Sequence, residues 1–239
     1  KYFISKIDLK KKEKEEKKYT ALEAKEKFEE NFRKYGLTNW KARIKEELVS
    51  NCVAGKNNSL FIKEGSLFTK KHLDSLIIHE IETHIITAEN GKAQPYEIFN
   101  RGLANYLETQ EGLAMYNFEQ QQHENFTENH KALGHVIAID EAIKSSFSKT
   151  FEVLLGLGIP KEQAFRSAIK AKRGLADTSK PGSFTKDYIY FKGYFLIKDF
   201  VEKGGKIKDL YLGKLNLKDL EKVKKIPGVK EAKILPKWL

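Results

Sequence analysis

Residues 73–88 read LDSLIIHEIETHIITA, and the spacing of the two histidines in this stretch governs the reading of the whole chain. His79 and His84 stand five positions apart, and Glu80 follows the first directly. Zinc-protease helices place two His at i and i+4 around a basic Glu; here the spacing is one residue longer. At about 100° per residue, i and i+5 lie roughly 140° apart on a regular helix, so both imidazoles reach one ion only where the turn is widened. A π-bulge widens a turn in this way, and such bulges favour functional sites. Leu73, Ile77, Glu80, His84 and Ala88 share one apolar stripe, where a carboxylate or imidazole is costly to bury without a partner. A metal-bound water partners Glu80, and the metal itself partners His84. The competing reading is one core histidine and one surface histidine flanking a Glu that caps or pairs.

A catalytic zinc site takes three protein ligands and keeps one open position. Downstream candidates for the third are Glu89, Glu97, Glu108, Glu111 and His123. A helix is expected from about Glu97 to Asn117. On it Leu103, Leu107, Ala114 and Phe118 form a stripe that contains Glu111, the acid whose burial most needs an explanation. The alternatives are a hydrogen-bonded core carboxylate or a pair with an Arg such as Arg101.

Gln110-Glu111-Gly112-Leu113-Ala114 spells QEGLA. Together with HEIETH, in this order, it resembles the QEGLA-motif family that includes the microtubule-associated tyrosine carboxypeptidases. The resemblance runs from about Val53 through Arg173-Gly174-Leu175 and Phe184-Thr185-Lys186-Asp187 to Gly193. It implies a zincin-like HExxxH zinc metallopeptidase that releases a C-terminal residue, aromatic, Tyr-like ones among those expected. By position it makes His79, His84 and Glu111 the Zn2+ ligands and Glu80 the general base toward a zinc-bound water. Glu80, His84 and Glu111 also stand out by spacing alone; His79 rests on the motif and the proposed bulge. An exopeptidase also needs an oxyanion donor and a cation for the terminal carboxylate. Arg173, Lys186, Tyr188 and Tyr190 are the candidates for those two tasks.

The rest of the chain reads as mostly helical α+β with a small sheet. Thr20-Ala21-Leu22-Glu23 forms a capping box and Gly36 a stop, with Leu22, Phe28, Phe32 and Tyr35 on the apolar side. A β-hairpin over 42–62 precedes the motif helix, which Thr69 caps, and presents an edge strand to an extended peptide. Helical patterns return at 131–147, 149–156 and 160–173, and an aromatic helix is expected from Phe184 to Glu202. The organisation expected is a charged segment over 1–19, a catalytic domain over 20–203 and a Lys-rich extension over 204–239 packed on the same domain.

The 239 residues carry 44 Lys+Arg against 33 Asp+Glu, a net charge of +11 with 40% hydrophobic residues. A chain of this composition is not disordered throughout, and its charge suits polyanionic partners. A peptide or protein C-terminal tail, acidic ones included, is the expected partner. No nucleic-acid motif is present, and no apolar run approaches the roughly 20 residues of a membrane span. Cys52, the only cysteine, excludes an intrachain disulfide and points to a reducing, cytoplasmic compartment, with its thiol buried as a small hydrophobe. His72 is expected at the surface and His135 in the core or behind the site. The rival functions are a basic binding protein and a regulatory protein that retains a metal site without turnover; intact Glu80 argues against the latter.

Overall fold

The computed structural model describes residues 18–48, 50–55, 57–122 and 130–239, and for 130–133 the backbone alone. The expectations placed on residues 1–17 and on His123 lie outside the described residues.

Two threonines open the helices that organise the N-terminal half. Strand β1 (Lys18–Thr20) ends in the cap of α1 (Ala21–Lys34). There the Glu23 N–H donates to Thr20 Oγ1 at 3.3 Å and the Thr20 N–H donates to Glu23 Oε2 at 2.7 Å. This is the capping box the sequence predicts, and Gly36, at φ +67°, follows the helix end. Phe28, Phe32 and Tyr35 are buried, but Leu22 is 59% exposed and faces solvent.

Strands β2 (Lys41–Lys45), β3 (Cys52–Gly55) and β4 (Ser59–Lys63) form one sheet in the order β2-β4-β3. The single hairpin expected over 42–62 is corrected here. Only β3 and β4 form one, turned through Asn57 and Asn58 at φ +57° and +49°, left-handed conformations that Asn tolerates. β2 runs parallel to β4, with Lys41 beside Ser59 and Lys45 beside Lys63. Alternation of side chains is the same in both pairings, so the pattern could not distinguish them. Ala42, Cys52, Leu60 and Ile62 enter the main core from this sheet.

Strand β5 (Leu67–Thr69) pairs antiparallel with β1 and ends at Thr69, whose Oγ1 accepts from the His72 N–H at 3.2 Å. From that cap the motif helix runs as α2 (Lys70–Leu76), a π-helical stretch (Ile77–Ile85) and α3 (Ile86–Lys92). The Ile86 N–H donates to the Ile81 carbonyl, the five-residue step of a π-turn. Thr83 Oγ1 donates to the Ile78 carbonyl at 2.9 Å. The widened turn that the histidine spacing requires is therefore built, with Ile78, Ile81 and Ile85 holding its other side in the core.

The helix expected from Glu97 is broken. Short α4 (Ile98–Arg101) stops at Gly102, where φ is +114° and a Cβ would meet the Tyr106 ring at 2.4 Å; α5 (Tyr106–Gln122) then begins. Leu103 thus lies in the turn and Leu107 is 39% exposed, while residues 109–114 are buried on nearly every side. Helices α6 (His130–Lys144), α7 (Phe147–Gly156) and α8 (Lys161–Lys172) build a second, smaller core around Ala138, Ala142, Leu154 and Ala164. The aromatic helix α9 (Tyr188–Glu202) starts at Tyr188 rather than Phe184. Two 3-10 turns, Ile207–Tyr211 and Leu217–Asp219, and α10 (Leu220–Val223) follow, and Leu210, Tyr211, Leu215 and Val223 pack into the main core.

Near the C-terminal end, Asn90 of α3 and Gln94 just beyond it act as a main-chain clamp. Asn90 Oδ1 accepts from the Lys233 and Ile234 N–H groups, and its Nδ2 donates to the Ile234 carbonyl at 2.7 Å. Gln94 Oε1 accepts from the Lys230 N–H, and its Nε2 donates to the Lys230 and Leu212 carbonyls.

Candidate metal centre

The π-turn brings His79 and His84 onto one side, and α5 delivers Glu111 to meet them. His79 Nε2 and His84 Nε2 are 3.1 Å apart; Glu111 Oε2 is 3.3 Å from the first and 3.5 Å from the second. The two rings stand nearly edge-on, at 86° with centroids 4.7 Å apart. Glu111 Oε2 is buried and receives no hydrogen bond. Ligands at about 2.0–2.1 Å around a tetrahedral zinc lie about 3.3–3.4 Å from one another, and the three distances fall around that value. Two Nε2 atoms this close cannot both direct a proton at the other, whereas one shared cation satisfies both lone pairs and the orphaned carboxylate oxygen. The donor set therefore fits a divalent ion.

Glu111 arrives here because α5 and α9 touch backbone to backbone. A Cβ on Gly112 would sit 2.1 Å from the carbonyl carbon of Gly193, and one on Gly193 would sit 2.1 Å from the Glu108 carbonyl oxygen. Only glycine at both positions permits that approach. It carries Tyr190, one turn before Gly193, onto the site: its ring stacks on His79 at 24° with centroids 6.2 Å apart. Burial, then the Glu111, Asp187 and Glu80 carboxylates, push the Tyr190 phenol above the usual range, so it stays a hydrogen-bond donor.

Around the ligands, two partners fix orientation. Gln110 Oε1 lies 3.3 Å from His84 Nδ1, which suits an Nδ1–H tautomer that leaves Nε2 free to ligate. Burial alone would depress the His84 pKa, but the Glu111 and Glu80 carboxylates and Gln110 raise it to about 9. Burial works against the Glu111 charge as well, yet the two imidazoles hold its carboxyl far below the ordinary range. Glu80 is buried, and its Oε2 accepts the main-chain N–H of Ala54 at 2.9 Å. Ala54 is on β3, whose neighbour β4 is hydrogen-bonded elsewhere along the ladder, so this N–H points off the free edge of the sheet. Sequence reasoning missed Ala54, because a main-chain donor leaves no mark on residue identity. It quoted Gln110 and Gly112 inside QEGLA but gave neither a task.

The other candidate third ligands are engaged elsewhere. Glu89 accepts from Trp40 Nε1 and pairs with Lys92, Glu97 pairs with Arg101, and Glu108 pairs with Lys192. Arg101 is thus not the partner of Glu111. Of the four substrate-contact candidates, only Tyr190 touches the ligand group. Arg173 donates to Asp187 at 2.9 Å and stacks on the Phe184 ring, and Lys186 and Tyr188 are exposed. His72 is exposed beside Phe68, and His135 meets Lys170 across α6 and α8, away from the centre. Cys52 is buried as expected.

The sequence profile of the microtubule-associated tyrosine carboxypeptidase family matches residues 2–238. Microtubule-associated tyrosine carboxypeptidase 1 of mouse is 29% identical over 161 residues, 65% of this chain and 34% of the mouse protein. The human protein of the same name is 29% identical over 157 residues, 63% of this chain and 33% of its own length. The chain therefore spans about a third of the length of the curated relatives it matches.

Proposed function

The chain belongs to the microtubule-associated tyrosine carboxypeptidase family, and from that premise we propose that it is a metallocarboxypeptidase releasing the C-terminal residue of a peptide or protein tail. The observation that carries this reading is the convergence of His79, His84 and Glu111 within reach of one ion. In it these three hold zinc, in a zincin-like arrangement of sheet edge and motif helix. A zinc ion held there would supply Lewis acidity, lowering the pKa of water and polarising the scissile carbonyl.

The remaining work belongs to the protein's own groups. Ala54 fixes one oxygen of Glu80, while Oε1 makes no hydrogen bond among the described residues and is free to take the proton of the water that attacks the scissile carbonyl. Glu80 then passes that proton to the leaving amine, a role typically worth ~10²–10⁴-fold. Tyr190, kept protonated beside the ligands, donates to the oxygen on which charge develops. In this reading Arg173, at the end of α8 and paired with Asp187, and Lys186 and Tyr188, at the start of α9, are the receptors proposed for the substrate's terminal carboxylate and side chain. A tail released into a reducing, cytoplasmic setting is the partner class. No helix among the described residues is long and apolar enough to cross a membrane.

The test is a C-terminal release assay on peptides ending in Tyr, Phe or other residues, using zinc-loaded protein. Wild type should free the last residue and Glu80→Gln should not. Tyr190→Phe should lower kcat about 10²–10³-fold with metal content unchanged. Internal cuts would remove the exopeptidase claim, and turnover by Glu80→Gln equal to wild type would remove the assigned base.

A further inference from the structure

We propose that the outer face of the β2–β4–β3 sheet is a docking surface for an extended, acidic peptide segment. Ala42, Leu60 and Ile62 turn inward to the core, so strand alternation places Lys41, Arg43, Lys45, Phe61 and Lys63 on the opposite face. Contacts across that face agree. Arg43 Nε donates to Ser59 Oγ at 3.2 Å, and the Lys45 ammonium lies 5.9 Å over the Phe61 ring. Phe61 in turn packs against Gly55, where a Cβ would come within 2.5 Å of its ring.

None of these four cations has an ion-pair partner among the described residues. Elsewhere the surface is compensated: Lys27, Lys70, Lys144 and Lys203 each pair with an acid one helical turn away. On the sheet the opposite holds. Lys45 and Lys63 are register neighbours, a like-charge pairing that weakens a sheet unless something anionic covers it. Lys41, Arg43 and Lys45 repeat every second residue, about 6.6–6.8 Å apart. Alternate side chains of an extended peptide have the same period, so carboxylates on one side of it meet the cations in turn. A nucleic-acid strand is the poorer match. Such surfaces stack successive bases on several open rings, whereas this face offers the single ring of Phe61, already roofed by Lys45.

The proteinaceous nature of the partner rests on the peptidase reading; the charge match does not. The opposite edge strand of this sheet, β3, gives its N–H to Glu80, so a segment held here belongs to a protein whose tail lies across the sheet.

The experiment uses the full chain carrying Glu80→Gln and a fluorescent oligoglutamate with an amidated C-terminus, which removes terminal-carboxylate recognition. Binding should weaken steeply with salt. Lys41→Glu, Arg43→Glu and Lys45→Glu together should weaken it about tenfold or more, with metal content and melting temperature kept. Lys45→Thr with Lys63→Thr, which spares the Arg43–Ser59 bond, should give an intermediate loss and reads the surface if the triple variant misfolds. Unchanged affinity in the variants, or no binding by the parent, overturns the proposal. An oligothymidylate of equal charge that displaces the peptide at lower concentration reassigns the face to nucleic acid and overturns it too. Failure of wild type to cleave any peptide strikes the peptidase reading alone, because the binding result needs no turnover.

Discussion

At the scale of single residues, the centre is an electrostatic bargain struck by three side chains. The imidazolium of His84 is held up to about 9 against burial, chiefly by Glu111, while the ordinary value is 6.5. The folded value lies above the unfolded one. The stabilisation is therefore fully present below about pH 6.5 and is lost as pH rises through about 9. Glu111 has the opposite sign: its depressed folded value stabilises above the ordinary carboxylate range and fails only in strong acid. Metal-free protein should therefore melt at progressively lower temperature between pH 6.5 and 9. A bound ion requires neutral imidazole and should abolish that decline. Thermal melts with chelator and with zinc across this interval check it, and a flat profile in chelator would mean that His84 and Glu111 are not a charged pair.

At the scale of elements, the site depends on one helix crossing. Gly112→Ala should drive α5 from α9, destabilise by about 1–3 kcal/mol or more and weaken metal binding as Tyr190 and Glu111 separate. Gly156→Ala on α7 meets nothing within 4 Å and serves as the control, with stability kept or slightly raised. Denaturation with metal titration reads both. Sequence alone made the widened turn legible, because an i, i+5 histidine pair has few helical solutions. It also exposed Glu111, since an acid in an apolar stripe demands a partner. The stripe itself was only partly right: Leu103 left the helix at Gly102, and burial of α5 comes from both the motif helix and α9. Strand direction was illegible, because parallel and antiparallel neighbours share one alternation. The crossing glycines were seen as letters of a motif; their necessity lies in a helix some eighty positions away, which no local pattern reports.

At the scale of the whole molecule, the back of the motif helix is tied to distant segments by buried polar groups. Asn117 donates to Thr83 Oγ1 and to the Tyr211 hydroxyl, and Gln121 and Tyr35 donate to Glu82. The Asn90 clamp belongs to the same frame. Asn90→Ala strips three hydrogen bonds from residues 233–234 and orphans their main-chain groups. It should destabilise by about 2–3 kcal/mol, read by urea titration, with the intrinsic metal ligands untouched. A different kind of security attaches to Glu80. Its anchor is a peptide N–H, and every residue type except proline carries one. Codon changes at position 54 would therefore almost never delete the anchor itself. The exposure lies in alignment: a one-residue slip of β3 would exchange its two sides wholesale. Selection on this contact thus acts on strand length and turn geometry and is nearly blind to the letter at position 54.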